Sequence, residues 1–193
     1  MGKKIYSAYG HIKQLAEEEL KGLKKAGVEA VIKMVPETLP EEVQKKMHIA
    51  KFDYPVATVD ELVNYDGFLF GFATRYGSAP AQFKAFMDAT GQLWFTGALK
   101  GKVAGVFQSS AGAGGGQESP ALTFMPHFAH HGIAFVPMGH HPHLSVLTEA
   151  RGGSFWGAGT LASTDGSRQP STLEKELAEY QGEQFGKFVN RLQ

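Results

Sequence analysis

The sequence predicts an α/β fold, a doubly wound parallel sheet with helices on both faces, from three observations. Strand-like, loop and helix-like stretches alternate four or five times along the 193 residues, the rhythm of βαβ units. Two of the strand-like stretches, Phe68-Leu69-Phe70-Gly71-Phe72 and Lys102-Val103-Ala104-Gly105-Val106-Phe107, are near-continuous apolar runs. Strands covered on both faces need such runs; strands with one wet face alternate. Several strand-like stretches then run straight into polar, glycine-containing loops, and ligands of open parallel sheets gather at the carboxyl ends of the strands.

Ile5-Tyr6 is an unusually short apolar start, preceded by Lys3-Lys4. From Gln14 to Lys25 Leu15, Leu20 and Leu23 recur at helical spacing while Glu17, Glu18, Glu19 and Lys21 can face water; Ala26-Gly27 closes the helix. Val31, Ile32 and Val35 make Val28–Val35 a strand. A helix starts after Pro40 at Glu41-Glu42, and Thr58 caps a short helix over Val59–Leu62. Helices are expected over Gln82–Thr90, Ser119–His131 and Leu173–Leu192, with a strand over Ile133–Met138 and a loop-rich stretch over 139–170. No internal repeat is visible, and the length suits one domain over 1–193.

Nineteen basic and nineteen acidic residues cancel, so no broad field draws nucleic acid or an anionic membrane. Zero cysteines exclude a disulfide scaffold and a thiolate-bound metal. No stretch approaches the ~20 apolar residues of a membrane span. Met1-Gly2-Lys3-Lys4 leads into no signal-peptide core, and Tyr6 stands where a myristoylation signal needs a hydroxyl. A cytoplasmic location is the expectation.

Three loops carry candidate chemistry. Ser7-Ala8-Tyr9-Gly10-His11-Ile12 places a hydroxyl and a glycine where a strand turns into a helix, and the free N–H groups of a helix start favour an anion. The loop has neither the Gly-Lys-Ser/Thr ending of a triphosphate loop nor the G-x-G-x-x-G spacing of a dinucleotide fold. A single phosphate, as in FMN, suits it better; ordinary capping uses the same residue types. Thr74-Arg75-Tyr76-Gly77 supplies a hydroxyl, a cation and an aromatic face for a flat ring. Ser109-Ser110-Ala111-Gly112-Ala113-Gly114-Gly115-Gly116-Gln117-Glu118 lets a ligand approach the backbone closely. A flexible linker has similar composition, but this loop follows a buried strand.

Six of the eight histidines lie between 127 and 143. His127, His130 and His131 stand at helical spacing, yet no acidic partner has ligand spacing, so no metal is expected. His130 serves better as a donor beside a bound ring. Trp94-Phe95 either packs in the core or roofs a site for a planar substrate. Arg151–Trp156 and Asp165–Ser171 read as structured polar loops whose contacts the pattern does not give.

Tyr9-Gly10-His11-Ile12, Thr74–Gly77, Thr90-Gly91 with Leu93-Trp94, Gly114–Glu118, His130-His131-Gly132, Arg151–Ser154 and Asp165–Ser171 stand in one order over nearly the whole chain. In these segments the sequence resembles the WrbA-like family of FMN-dependent NAD(P)H:quinone oxidoreductases, closest to its fungal branch. The resemblance implies a flavodoxin-like, five-stranded version of the doubly wound sheet, with the first strand shorter than the family's. It implies that Ser7, Ala8, Tyr9, Gly10, His11 and Ile12 bind the FMN phosphate, and that Thr74, Arg75, Tyr76 and Gly77 hold the isoalloxazine edge. Ser109, Ser110, Ala111, Gly112, Gly114 and Gly115 would line the ring and ribityl side. Tyr9 and Trp94 would border the nicotinamide and quinone site, with His130 beside the flavin from another subunit of a tetramer. The implied reaction is ping-pong: NAD(P)H delivers a hydride, the nicotinamide leaves, and a quinone takes two electrons to become a hydroquinone. Arg75 and His130 would stabilise the developing negative charge. Peripheral membrane contact is compatible with this reading, because quinones are often lipid-bound.

Two readings remain at this point. One is the quinone reductase. The other is a non-enzymatic flavodoxin-like oligomer with weak or absent FMN binding that acts through protein partners, a reading fed by the short first strand. An electron-carrier flavodoxin is disfavoured by the neutral charge, since such carriers dock on basic partners through acidic surfaces.

Overall fold

A computed structural model describes residues 2–192, and side chains from Ser7 onward. Six strands, β1 (Gly2–Tyr6), β2 (Val31–Met34), β3 (Gly67–Ala73), β4 (Val103–Ser110), β5 (Ala134–Phe135) and β6 (Gly159–Leu161), form one parallel sheet. Its order is β2-β1-β3-β4-β5, with β6 also on β4. This is the flavodoxin-like order, and the expected fold class holds.

Around the sheet lie α1 (His11–Lys25), α2 (Glu41–Lys46), α3 (Ala81–Asp88), α4 (Gly91–Phe95), α5 (Ser119–His131) and α6 (Thr172–Asn190). Residues 60–64 form a 3₁₀ turn that starts from Val59, without the expected cap from Thr58. The first helix begins three residues earlier than its leucine spacing suggested, because Gly10 takes φ +93° and turns the chain directly into it.

β1 is short but complete as a sheet element. Its five residues pair with β2 from Gly2↔Val31 to Ile5↔Met34 and with β3 from Gly2↔Phe68 to Tyr6↔Phe72. Lys3 and Lys4 therefore belong to the strand, and Ser7 emerges at its carboxyl end beside the ends of β3 and β4.

The central strands divide their side chains between two cores by the two-residue period of a pleat. Phe68, Phe70 and Phe72 of β3, with Ala104 and Val106 of β4, face the α3 and α5 side. There Phe70 lies 5.7–5.8 Å from the rings of Phe83, Phe124 and Phe128, within the range of favourable aromatic packing. Leu69, Val103 and Phe107 face α1 and α6. On that face Gly71 is paired with Phe107, and a Cβ on Gly71 would sit 2.1 Å from the ring. Helices α1 and α6 approach equally closely: a Cβ on Gly22 would lie 1.9 Å from the Glu179 carbonyl oxygen, and one on Gly182 would lie 2.1 Å from that of Glu19.

The expected strand over Ile133–Met138 contracts to two residues, because Pro137 has no N–H for a ladder and Gly139 turns the chain away at φ +76°. The chain returns as β6 to pair with the carboxyl half of β4, from Gln108↔Gly159 to Ser110↔Leu161. The fifth position of the sheet is thus filled by two short strands. Between them the Gln181 side chain, from α6, closes the break. Its Nε2 donates to the Val106 carbonyl at 2.9 Å and its Oε1 accepts from the Ala158 N–H at 2.7 Å, as a peptide group of an unbroken strand would.

Gln181→Leu leaves both backbone groups without that partner, and each buried orphan costs ~1–3 kcal/mol. The urea midpoint should fall by an amount worth about 3 kcal/mol at unchanged m-value.

Candidate functional site

The carboxyl ends of β1, β3, β4 and β6 lie side by side, and the loops that leave them enclose a cavity of about 410 Å³. Small-ligand sites span ~300–1,000 Å³. Two backbone bonds hold the edge together: Thr74 N–H to Ser109 O (2.8 Å) and Ala162 N–H to Ser110 O (2.8 Å).

At the β1 end, Ser7, Ala8, Tyr9, His11 and Ile12 line the cavity. The Ser7 hydroxyl accepts from Gly10 N–H (3.1 Å) and Lys13 N–H (3.3 Å), which folds the loop around the start of α1. N–H groups in the first turn of a helix have no acceptor within it, and those of His11 and Ile12 stand at the cavity. Backbone donors so placed are able to receive an anion.

From β3 come Ala73, Thr74 and Arg75. The Thr74 hydroxyl oxygen is buried with no hydrogen-bond partner. Arg75 is exposed and spends one donor on the neighbouring Thr74 carbonyl (3.1 Å). Tyr76 and Gly77 form a two-residue turn closed by Arg75 and Ser78 in both directions (2.8 and 3.0 Å). Tyr76 takes φ +52° there with its ring wholly in solvent. A tyrosine at positive φ is strained, and the turn is pinned to α5 through Thr123.

Ser109, Ser110, Ala111 and Gly115 complete that side. The glycine loop is no free linker. Gln117 donates to Ser110 Oγ (2.6 Å) and accepts from Gly153 N–H (2.8 Å), tying it to the Arg151–Ser154 loop.

The remaining wall, Ala162, Ser163, Thr164, Asp165 and Gly166, was not among the predicted site residues. The only sequence signal was the turn-rich Asp165–Ser171 stretch. The backbone N–H and hydroxyl of Ser167 hold the Asp165 carboxyl below its ordinary value, so the cavity carries an ionised carboxylate on this wall.

Gly10, Tyr76, Gly77, Gly112 and Gly114 belong to the same loops without lining the cavity. Trp94 and His130 also stand outside it, exposed on α4 and α5. His131 is structural: its Nε2 lies 2.8 Å from Thr90 Oγ1, which donates to Met87 O (2.6 Å) and so accepts from the ring. Burial pushes the His131 and His127 pKa values down, toward the neutral form.

One carboxylate fastens the 162–166 wall. Glu174, fully buried near the start of α6, accepts from the N–H groups of Gly152 (2.7 Å), Ser171 (2.8 Å) and Leu161 (3.1 Å), the Thr160 hydroxyl (2.7 Å) and Arg168 (2.9 Å). Burial by itself raises its pKa. The N–H groups of Gly152 and Ser171, then Arg168 and Thr160, outweigh that and leave it below 4.5. A carboxyl with a lower pKa folded than unfolded contributes stability that is whole above the unfolded value and is lost as pH falls through the folded one. Thermal stability should therefore decline as pH drops below about 4.5, and Glu174→Gln, already less stable at pH 7, should decline less steeply. Parallel slopes in pH-resolved melting curves would remove Glu174 from the acid transition.

The profile of the NADPH-dependent FMN reductase family matches residues 7–141, which include the loops that leave three of the four strands around the cavity. The chain is 55% identical over 191 residues to a Candida albicans protein named NAD(P)H quinone oxidoreductase PST3, covering 97% of this chain and 96% of that protein. It is 50% identical over 181 residues to quinone-oxidoreductase QR2 of Triphysaria versicolor, covering 92% and 88%. A solved flavodoxin, WrbA-like protein from Agrobacterium tumefaciens superposes with a TM-score of 0.69 at 21% identity, covering all of this chain and 98% of that one. With the cradle of α1, the Thr74 hydroxyl and the sheet order already in place, these similarities make the chain a member of the NADPH-dependent FMN reductase family, among its flavodoxin-like quinone oxidoreductases.

Proposed function

We propose that the protein is an FMN-dependent NAD(P)H:quinone oxidoreductase. The observation that carries this is the buried Thr74 hydroxyl without a partner in a cavity that ends on the first turn of α1. A polar atom held dry and unpaired costs stability, and a ligand that pairs with it recovers the loss. The residues suit FMN: free backbone donors for one phosphate at α1, hydroxyls of Ser109, Ser163 and Thr164, and the Asp165 carboxylate. That carboxylate can only accept, so it suits hydroxyls, while the backbone donors of α1 suit phosphate.

Bound FMN supplies two-electron chemistry between a nicotinamide and a quinone. The protein's own part is to bind, orient and stabilise charge. Arg75, with donors to spare at the cavity, offsets negative charge that develops on a carbonyl oxygen. Tyr9, about half exposed, offers an aromatic face at the opening where donor and acceptor take turns. Trp94 and His130 reach such a site only from a second copy of the chain, and a homotetramer supplies it. No described helix is long and apolar enough to cross a membrane, and we place the protein in the cytoplasm.

Thr74→Val removes the orphaned hydroxyl at nearly constant volume. The apo-protein should melt no lower than wild type, while FMN affinity falls ~5–10-fold in a fluorescence titration; unchanged affinity would sink the assignment. Trp94→Ala should raise the quinone KM at unchanged FMN content, and an unaltered KM counts against its place at the substrate site. The whole reading is tested by adding FMN, NADH and benzoquinone in turn: tight one-per-chain binding, bleaching and recovery are expected. Absence of binding at tens of micromolar FMN would favour the non-enzymatic oligomer.

A further inference from the structure

Arg168 and His11, which lines the cavity, stand 157 residues apart in sequence and meet: the His11 ring nitrogen Nε2 lies 2.8 Å from the Arg168 carbonyl oxygen. We propose that Glu174 is a positioning residue for phosphate-monoester recognition, acting through Arg168 on His11 and hence on the first turn of α1. The proposal rests on FMN as the ligand and deepens that reading.

Arg168 is fixed at four points. Its guanidinium donates to both Glu174 carboxylate oxygens (3.0 and 2.9 Å), to Leu161 O (2.6 Å) and to Ala150 O (2.9 Å), and its N–H donates to Ala162 O (3.1 Å). Its own carbonyl is thereby held still, facing the start of α1. That carbonyl can only accept, so His11 Nε2 carries the proton and the bond orients a ring that is itself buried. One helical turn on, Gln14 donates to Gln169 Oε1 at 2.7 Å. The first turn of α1, which holds the cradle N–H groups of His11 and Ile12, is therefore tied to the 168–169 segment twice.

Glu174 does not need the arginine to be satisfied. Three N–H groups and the Thr160 hydroxyl already saturate it. A buried ion pair is weak grounds for stability, because removing both charges from water costs about what their attraction returns. Fixing a register is its better-attested use. Here the register is that of a five-residue wall, Ala162–Gly166, anchored at both ends on one carboxylate, and of the helix start it abuts.

FMN and riboflavin differ only by the phosphate, so the ratio of their affinities isolates the cradle from the wall. On the full chain, fluorescence titrations should show wild type preferring FMN. Arg168→Ala and His11→Leu should each cut that preference ~10-fold, and the double variant should cut it no further, as expected for two members of one path. His11→Gln, which keeps an N–H donor, should restore most of the preference. Glu174→Gln should follow Arg168→Ala; if it does not fold, the other variants still decide. Equal losses for both flavins would mean that Arg168 only shapes the wall, and an unchanged ratio in folded variants would mean a structural role alone; either overturns the proposal. A wild type without preference for FMN would instead overturn the placement of phosphate at α1, and the inference with it.

Discussion

β4 is buried along all eight residues, so its backbone groups have no water to turn to and must be satisfied by neighbours. One edge is met by β3 over seven paired residues. The other is met by two fragments, β5 and β6, with the Gln181 amide between them. The site depends on this arrangement. The same constraint that brings β6 back to β4 brings the chain after β6, Ala162–Gly166, over the ends of β1 and β3, where it becomes the wall of the cavity.

The cavity then divides by chemistry. At α1 the donors are backbone N–H groups, fixed in direction by the helix and by Ser7. On the wall that follows β6 stand hydroxyls and the ionised Asp165. Arg75 lines the cavity from a turn that is pinned to α5 and carries the strained, exposed Tyr76. A ligand with an anionic end, hydroxyls and a flat ring would find donors and acceptors among these residues, which is the ground for proposing one mononucleotide here rather than a dinucleotide or a triphosphate.

Much of the fold was legible in the sequence. The apolar runs of β3 and β4 announce strands covered on both faces, and the leucine spacing of α1 places its helix. Ser7–Ile12, Thr74-Arg75 and Ser109–Gly115 were legible as loops at strand ends because local composition is what a phosphate or ring site demands of backbone. The metal-like spacing of His127, His130 and His131 carried less: His131 packs on Thr90, and spacing along a helix does not say which face meets a cavity.

The order of elements and the chemistry of three loops were set by the sequence itself, since hydrophobic run length, turn residues and helix starts are local properties. Tertiary structure alone decided that Gly159-Thr160-Leu161 is a strand, that Gln181 substitutes for a missing peptide group, and that residues 162–166 face the ligand. Each depends on a partner far away in sequence: β4 for β6, Val106 and Ala158 for Gln181, Glu174 and His11 for the two ends of Arg168. No local pattern marks a residue whose role is to complete a hydrogen bond begun elsewhere, because the demand arises only when folding removes water from the other half.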